Sequence, residues 1–159
     1  MRSLHLIDIE NLCGGGRVNV SEVVRVLEAY ERLTKLRSSG SFVVAGMAHN
    51  SDQEFLSGWN KVGFPIFLEP DLAIESGKDG AEIALERWCI GNLNMVASFD
   101  EIVLGSGDGR FGKLIIQASE LGLRVRVVAR NINSTSSVFQ NRNLNPRYLE
   151  SVDSYFSHQ

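Results

Sequence analysis

Short apolar runs alternate along this chain with stretches whose apolar residues keep helical spacing, and that alternation leaves few folds open. Residues 4–9 are mostly apolar yet contain an acid near their end, as strands buried on both faces of a parallel sheet often do. Asn19 is placed to cap a helix from Val20, with Val23, Val24, Leu27 and Tyr30 following at helical intervals. The same reading gives a strand at 42–48, a helix at 51–62 capped by Ser51 or Asp52, and a short third strand at 65–68. A polar loop at 69–78 leads into a helix from Gly80 to about Leu93. A fourth strand at 102–104 enters the turn 105–109, a helix spans 111–121 and stops at Gly122, and a fifth strand covers 124–129. Strands and helices in strict alternation predict a three-layer α/β/α sandwich around a mainly parallel, five-stranded sheet.

One such domain is what 159 residues can fill, and no internal repeat suggests a second. The Asn- and Ser-rich segment 131–159, with Arg142, Arg147, Tyr148 and Tyr155 interspersed, is expected to pack on that domain; arginine beside aromatics also suits a single nucleic-acid strand. A formal net charge of -3 excludes a protein that merely coats nucleic acid, which is usually basic. Cys13 and Cys89 belong to no CxxC pair, so neither a zinc motif nor a disulfide framework is readable. No run approaches the roughly 18 apolar residues of a membrane span, and the expected setting is the cytoplasm.

In open parallel sheets, ligands bind beyond the carboxyl ends of the strands, where the strand order reverses. Asp8 and Asp108 fall on that edge. Asp8 ends an apolar strand, where a carboxylate loses several kcal/mol of solvation unless something satisfies it; loop N–H groups alone could do so. Asp108 lies in Gly105-Ser106-Gly107-Asp108-Gly109, a glycine-rich turn in which it could equally cap the next helix. Glu82 has capping-box spacing from Asp79, a structural role that competes with metal binding. Together the three say more than each does singly. Two carboxylates about 5 Å apart repel by roughly 3 kcal/mol at an effective dielectric near 20, so three converge only around a cation. Magnesium or manganese fits, because hard divalent ions take oxygen ligands, and the absence of a His/Cys pattern argues against zinc.

The segment Leu6-Ile7-Asp8-Ile9-Glu10-Asn11 resembles the opening Asp-x-x-Asn motif of NYN domains, a branch of the PIN-like nucleases. Gly77-Lys78-Asp79-Gly80-Ala81-Glu82 is similar to the family's central motif, with Glu82 in place of its aspartate. Gly105-Ser106-Gly107-Asp108-Gly109-Arg110-Phe111 is similar to its Ser-Gly-Asp-x-Asp-Phe motif, with Arg110 where a second aspartate is common, and Leu149–Phe156 is like its closing segment. The resemblance implies metal-dependent phosphodiester cleavage, usually of RNA. It further implies metal binding by Asp8, Glu82 and Asp108, orientation of the site by Asn11, and a contact from Ser106 to water or phosphate. Lys78 and Arg110 could pair with phosphate oxygens. RNA is the implied partner, and a homodimer is left open.

Other readings compete. Gly107 to Lys113 matches half of a P-loop, but Leu114 stands where a Ser or Thr hydroxyl is needed. A haloacid-dehalogenase-type phosphatase needs an aspartate two residues after its nucleophile, where this chain has Glu10. An inactive PIN-like module that binds RNA or a protein partner draws its support from Arg110. His49 follows the second strand and reads first as a surface or capping residue, while Trp59 and Trp88 read as core or interface.

Overall fold

Burial on both sides makes β1 (Ser3–Asp8) the axis of the molecule: every one of its residues is buried. A computed structural model describes residues 1–38, 40–48 and 51–152. From β1 the chain makes the single turn α1 (Ile9–Leu12), then α2 (Val20–Thr34), β2 (Ser41–Met47), α3 (Asp52–Val62) and β3 (Asp71–Ile74). It continues through α4 (Gly80–Gly91), α5 (Leu93–Ala97), β4 (Glu101–Gly105), α6 (Gly112–Glu120), β5 (Arg124–Ala129), α7 (Ser137–Asn141) and β6 (Arg147–Tyr148).

The strands lie in the order β3-β2-β1-β4-β5-β6 and every pairing is parallel. The chain builds outwards from β1 to β3 on one side, then returns to build β4 to β6 on the other. The reversal point is the seam between β1 and β4, the strands that lead to Asp8 and Asp108. Alternation along β1 separates the two cores. Leu4 and Leu6 pack with Leu85, Ile102, Leu104, Phe111 and Phe139 on one face. Ile7 packs with Val43, Ala45 and the inner sides of α2 and α3 on the other. The Asn19 side chain caps α2 by accepting the Glu22 N–H at 2.9 Å. Trp59 is buried against Phe55 and Phe64, and Trp88 is half-buried over Phe42.

Three expectations need correction. Among the described residues the sheet has six strands, because Arg147–Tyr148 adds to β5 at the far edge. The third strand is not at residues 65–68, which hold a single 3-10 turn (Ile66–Leu68) with Ile66 and Phe67 exposed to solvent and Leu68 buried. It is Asp71–Ile74, inside the expected polar loop. Among the described residues this edge strand has β2 alone beside it and is half-solvated, so its apolar run, Leu72 to Ile74, is short and set between acids. The helix expected to reach about Leu93 breaks at Asn92, where α5 restarts. Among the described residues no helix is long and apolar enough to cross a membrane. His49 and residues 153–156 of the closing motif lie outside the described residues.

Candidate active site

A cleft of about 660 Å³ opens beyond the carboxyl ends of the central strands, and Asp8, Asn11, Lys78, Glu82, Asp108 and Arg110 all line it. Asp8 forms its floor. It is 5% exposed, its Oδ1 accepts the Asn11 N–H at 3.2 Å, and its Oδ2 faces the Ser106 hydroxyl at 3.4 Å. Loop N–H bonding therefore occurs, but it does not neutralise the group. Burial pushes the Asp8 carboxyl up to about 7, with the charges of Glu10 and Asp108 adding to the rise and the Asn11 and Ser106 contacts opposing it.

Ser106, fully buried, joins the two acidic ends: its oxygen also accepts the Asp108 N–H at 3.1 Å. Asn11 makes the second tie, its Oδ1 accepting the Gly107 N–H at 2.9 Å. The glycines around Asp108 are required by close approach. A Cβ on Gly107 would lie 2.3 Å from the Ser134 carbonyl oxygen, and one on Gly109 would lie 2.4 Å from the Ser136 hydroxyl. The turn is thus pressed against the segment that follows β5, which fixes where Asp108 points. Asp108 does cap the short 3-10 turn Gly109–Phe111, accepting the Arg110 N–H at 2.9 Å, while its other oxygen faces the cleft side chains. Capping and a role in the cleft are compatible.

Glu82 is not half of a capping box. The Asp79 side chain makes no capping bond, because its carboxylate is taken by Arg110 Nη1, from a residue far along the chain. Arg110 also holds Asp108, through Nη2 at 2.7 Å and Nε at 3.1 Å, and its Nε lies 3.2 Å from Glu82 Oε2. The Glu82 contact lacks hydrogen-bond alignment, so this buried oxygen is near a cation but receives no hydrogen bond. Burial raises the Glu82 carboxyl, as do Glu86 and Asp108.

The guanidinium of Arg110 thus stands among three carboxylates where a metal was expected. With the side chains so placed, no three His, Cys, Asp or Glu groups among the described residues converge to hold an ion. The donor chemistry nevertheless suits a hard cation. All the acids offer oxygen, Asp8 has no cation paired with it among the described residues, and Glu82 Oε2 lacks a hydrogen-bond donor. Arg110, its side chain half exposed, can swing away from such an ion without disturbing the core.

Asp79 and Arg17 line the cleft without a site role from the motifs, and Glu10, quoted in the opening motif, lines it with them. Glu10 reaches across to accept the Ala48 N–H at 2.7 Å, its other oxygen is buried without a hydrogen bond, and burial raises its carboxyl. Asp79 has the position of a helix cap but gives its carboxylate to Arg110. Arg17 lies on the rim, and only its place after three glycines could have singled it out.

The NYN domain family model matches residues 4–148, which include every acid of this cleft. No curated protein and no solved structure matches the chain. With the parallel sheet, its reversal point between β1 and β4 and the matched span of nearly the full length, the chain belongs to the NYN domain family of the PIN-like nuclease superfamily.

Proposed function

We propose that this protein is a divalent-metal-dependent ribonuclease that hydrolyses phosphodiester bonds within RNA. The observation that carries the reading is the seam itself. Two acids, Asp8 at the end of β1 and Asp108 just beyond the end of neighbouring β4, are tied together through one buried hydroxyl, and the deeper of them has no cation paired with it among the described residues. Such an arrangement opposes folding unless a proton or an external cation answers the charge.

Asp8, Asp108 and Glu82 would hold Mg²⁺ or Mn²⁺, the kind of ion PIN-like nucleases typically use. When bound, that ion supplies activation of water and stabilisation of charge on the phosphate. The chain's own residues do the rest. Asn11 and Ser106 fix the distance between the two acidic loops, so the backbone beneath Asp8 and Asp108 need not move when Arg110 releases its acids. Lys78, on the rim, pairs with a phosphate oxygen. Arg110 is the internal counter-ion of the metal-free cleft, and once released it is within reach of the same phosphate. The cytoplasm is the compartment proposed for it.

The test is cleavage of labelled single-stranded RNA and DNA with Mg²⁺, Mn²⁺ or EDTA, alongside melting curves. RNA cleavage in Mn²⁺ but not EDTA is expected, as is a rise of Tm with Mn²⁺ that Asp108→Asn abolishes. Cleavage that persists in EDTA overturns the mechanism. A second reading, an inactive module that binds RNA or a protein partner, is favoured by the Arg110 guanidinium among Asp79, Glu82 and Asp108. Tight RNA binding without cleavage, and no change of Tm with Mn²⁺, would decide for it.

A further inference from the structure

The cleft presents a difficulty for a polyanion. Among the described residues its lining holds five carboxylates, Asp8, Glu10, Asp79, Glu82 and Asp108, against the three cations Arg17, Lys78 and Arg110. Of those cations Arg110 is committed, held by Asp79 and Asp108 and in contact with Glu82. Arg17 and Lys78 differ from it. Both are exposed, and no hydrogen bond or ion pair joins either side chain to another described residue.

Their backbone settings are also alike. Arg17 follows Gly14, Gly15 and Gly16, at φ 99, 85 and 73°, and Lys78 follows Gly77 at φ 109°. These are left-handed conformations in which other residues are strained. A Cβ on Gly15, Gly16 or Gly77 would meet nothing within 4 Å, so packing does not demand glycine there. Glycine instead lets two loops, one after α1 and one after β3, turn back and stand clear of the body with a cation at the mouth. Neither cation is needed to balance a charge of the fold, and both face the cleft.

We infer that Arg17 and Lys78 are the pair of cations that grips the phosphodiester backbone of a single nucleic-acid strand at the mouth of this cleft, before any contact from Arg110. The inference rests on the proposed nuclease reading for its ligand class but concerns binding alone. A single strand is the form favoured, because the acids lie within a space of the size that encloses a small molecule, not one open to a duplex. Contacts of this kind carry little base preference and strong salt dependence, since each releases condensed counterions.

The experiment is equilibrium binding of fluorescent oligouridylate and oligothymidylate to the full chain in EDTA over a series of salt concentrations. The proteins compared are wild type, Arg17→Ala, Lys78→Ala, the double variant, and Arg124→Ala as a control at the opposite edge of the sheet. Each of Arg17→Ala and Lys78→Ala should weaken binding several-fold and lower the slope of log K against log salt by about 0.7 to 1. The double variant should lose both increments, Arg17→Lys should restore most of the first, and Arg124→Ala should leave the slope as in wild type. Melting curves identify any variant whose loss comes from unfolding. Equal weakening by Arg17→Ala and Arg124→Ala, or wild type that binds neither oligonucleotide in EDTA, overturns the inference. Cleavage assayed separately in Mn²⁺ keeps the two ideas apart: a chain that grips through Arg17 and Lys78 but never cuts retains this inference and loses the nuclease reading. Preference for the ribo- over the deoxyribo-oligomer identifies the sugar at the mouth, while equal binding assigns the grip to phosphate alone; either supports it.

Discussion

Strands β1 and β4 pair along their length and bury an acid at each end, Glu101 at the start and Asp8 at the finish. At the starting end the charge is answered within the fold. Glu101 accepts two hydrogen bonds from the Arg126 guanidinium, at 2.8 and 3.0 Å, and one from the Ser3 hydroxyl at 2.8 Å. Burial works to raise its carboxyl, but these bonds and the Arg126 charge hold it below the usual range. His5 beside them is pushed down to about 3 by burial and by Arg126, so it stays neutral and pairs its Nδ1 with the Tyr30 hydroxyl at 2.8 Å. At the finishing end Asp8 has two weak neutral donors, further acids nearby and no paired cation among the described residues, and its carboxyl rises to about 7. One end is complete by itself. The other is complete only with something added, and that difference separates a structural charge cluster from a candidate site.

The comparison breaks most sharply if Asp8 is neutralised. Asp8→Asn keeps the shape but not the charge that holds a hard cation. RNA cleavage in Mn²⁺ should fall about 10³-fold, close to 4 kcal/mol of barrier at 1.36 kcal/mol per decade. Single-turnover assays of wild type and variant measure it, and full activity in the variant would remove Asp8 from the mechanism.

The two ends should also respond to pH with opposite signs. Asp8 titrates near 7 when folded against an ordinary 3.8, so the folded form binds the extra proton. Metal-free stability is then greatest below 3.8 as far as Asp8 is concerned, and falls as pH rises towards 7. The loss is at most on the order of 4 kcal/mol. Glu101, held below its ordinary 4.5, contributes stability above that value and loses it as pH falls through its lowered folded pKa. Denaturant melts from pH 4 to 8 in EDTA should show the fall towards neutrality in wild type and its absence in Asp8→Asn. A flat wild-type profile would mean that Asp8 is ionised without strain.

Removing the cation at the complete end is the next smaller change. Arg126→Met leaves buried Glu101 without its partner and should cost about 2 kcal/mol, less than a fully buried pair because the Arg126 side chain is 41% exposed. Urea denaturation at pH 7 checks this, and Mn²⁺ binding should be unchanged. The smallest effect expected is at the open end. Arg110→Asp removes the internal counter-ion and adds a carboxylate, so Mn²⁺ affinity by calorimetry should tighten about tenfold, roughly 1.4 kcal/mol. Unaltered affinity would place Arg110 outside the ion's surroundings.

The correspondence between sequence and structure follows what each element had to bury. Residues 4–9 were readable because a central strand needs apolar side chains on both faces, and residues 124–129 because valines alternate with two arginines before an apolar end. The edge strand Asp71–Ile74 was not, and residues 65–68 misled because a short apolar run before a turn looks the same whether or not it pairs. The acids were legible by type and place. Asp8 and Asp108 follow strands, and the reversal of strand order brings strand ends of that kind together.

Periodicity alone therefore determined the layered parallel fold and the edge on which Asp8 and Asp108 sit, because these depend on local spacing and on one-dimensional order. The tertiary structure alone decided which charges are answered. Asp79 and Glu82 have the spacing of a helix cap, yet both turn to Arg110, because an ion pair with a guanidinium offers a carboxylate more than one backbone N–H does. Glu101 and Asp8 are both acids in apolar strands. Only the arrangement of β5 beside β4 places Arg126 next to the first and leaves the second without a paired cation among the described residues, since Coulomb energy depends on distance in space and not on distance along the chain.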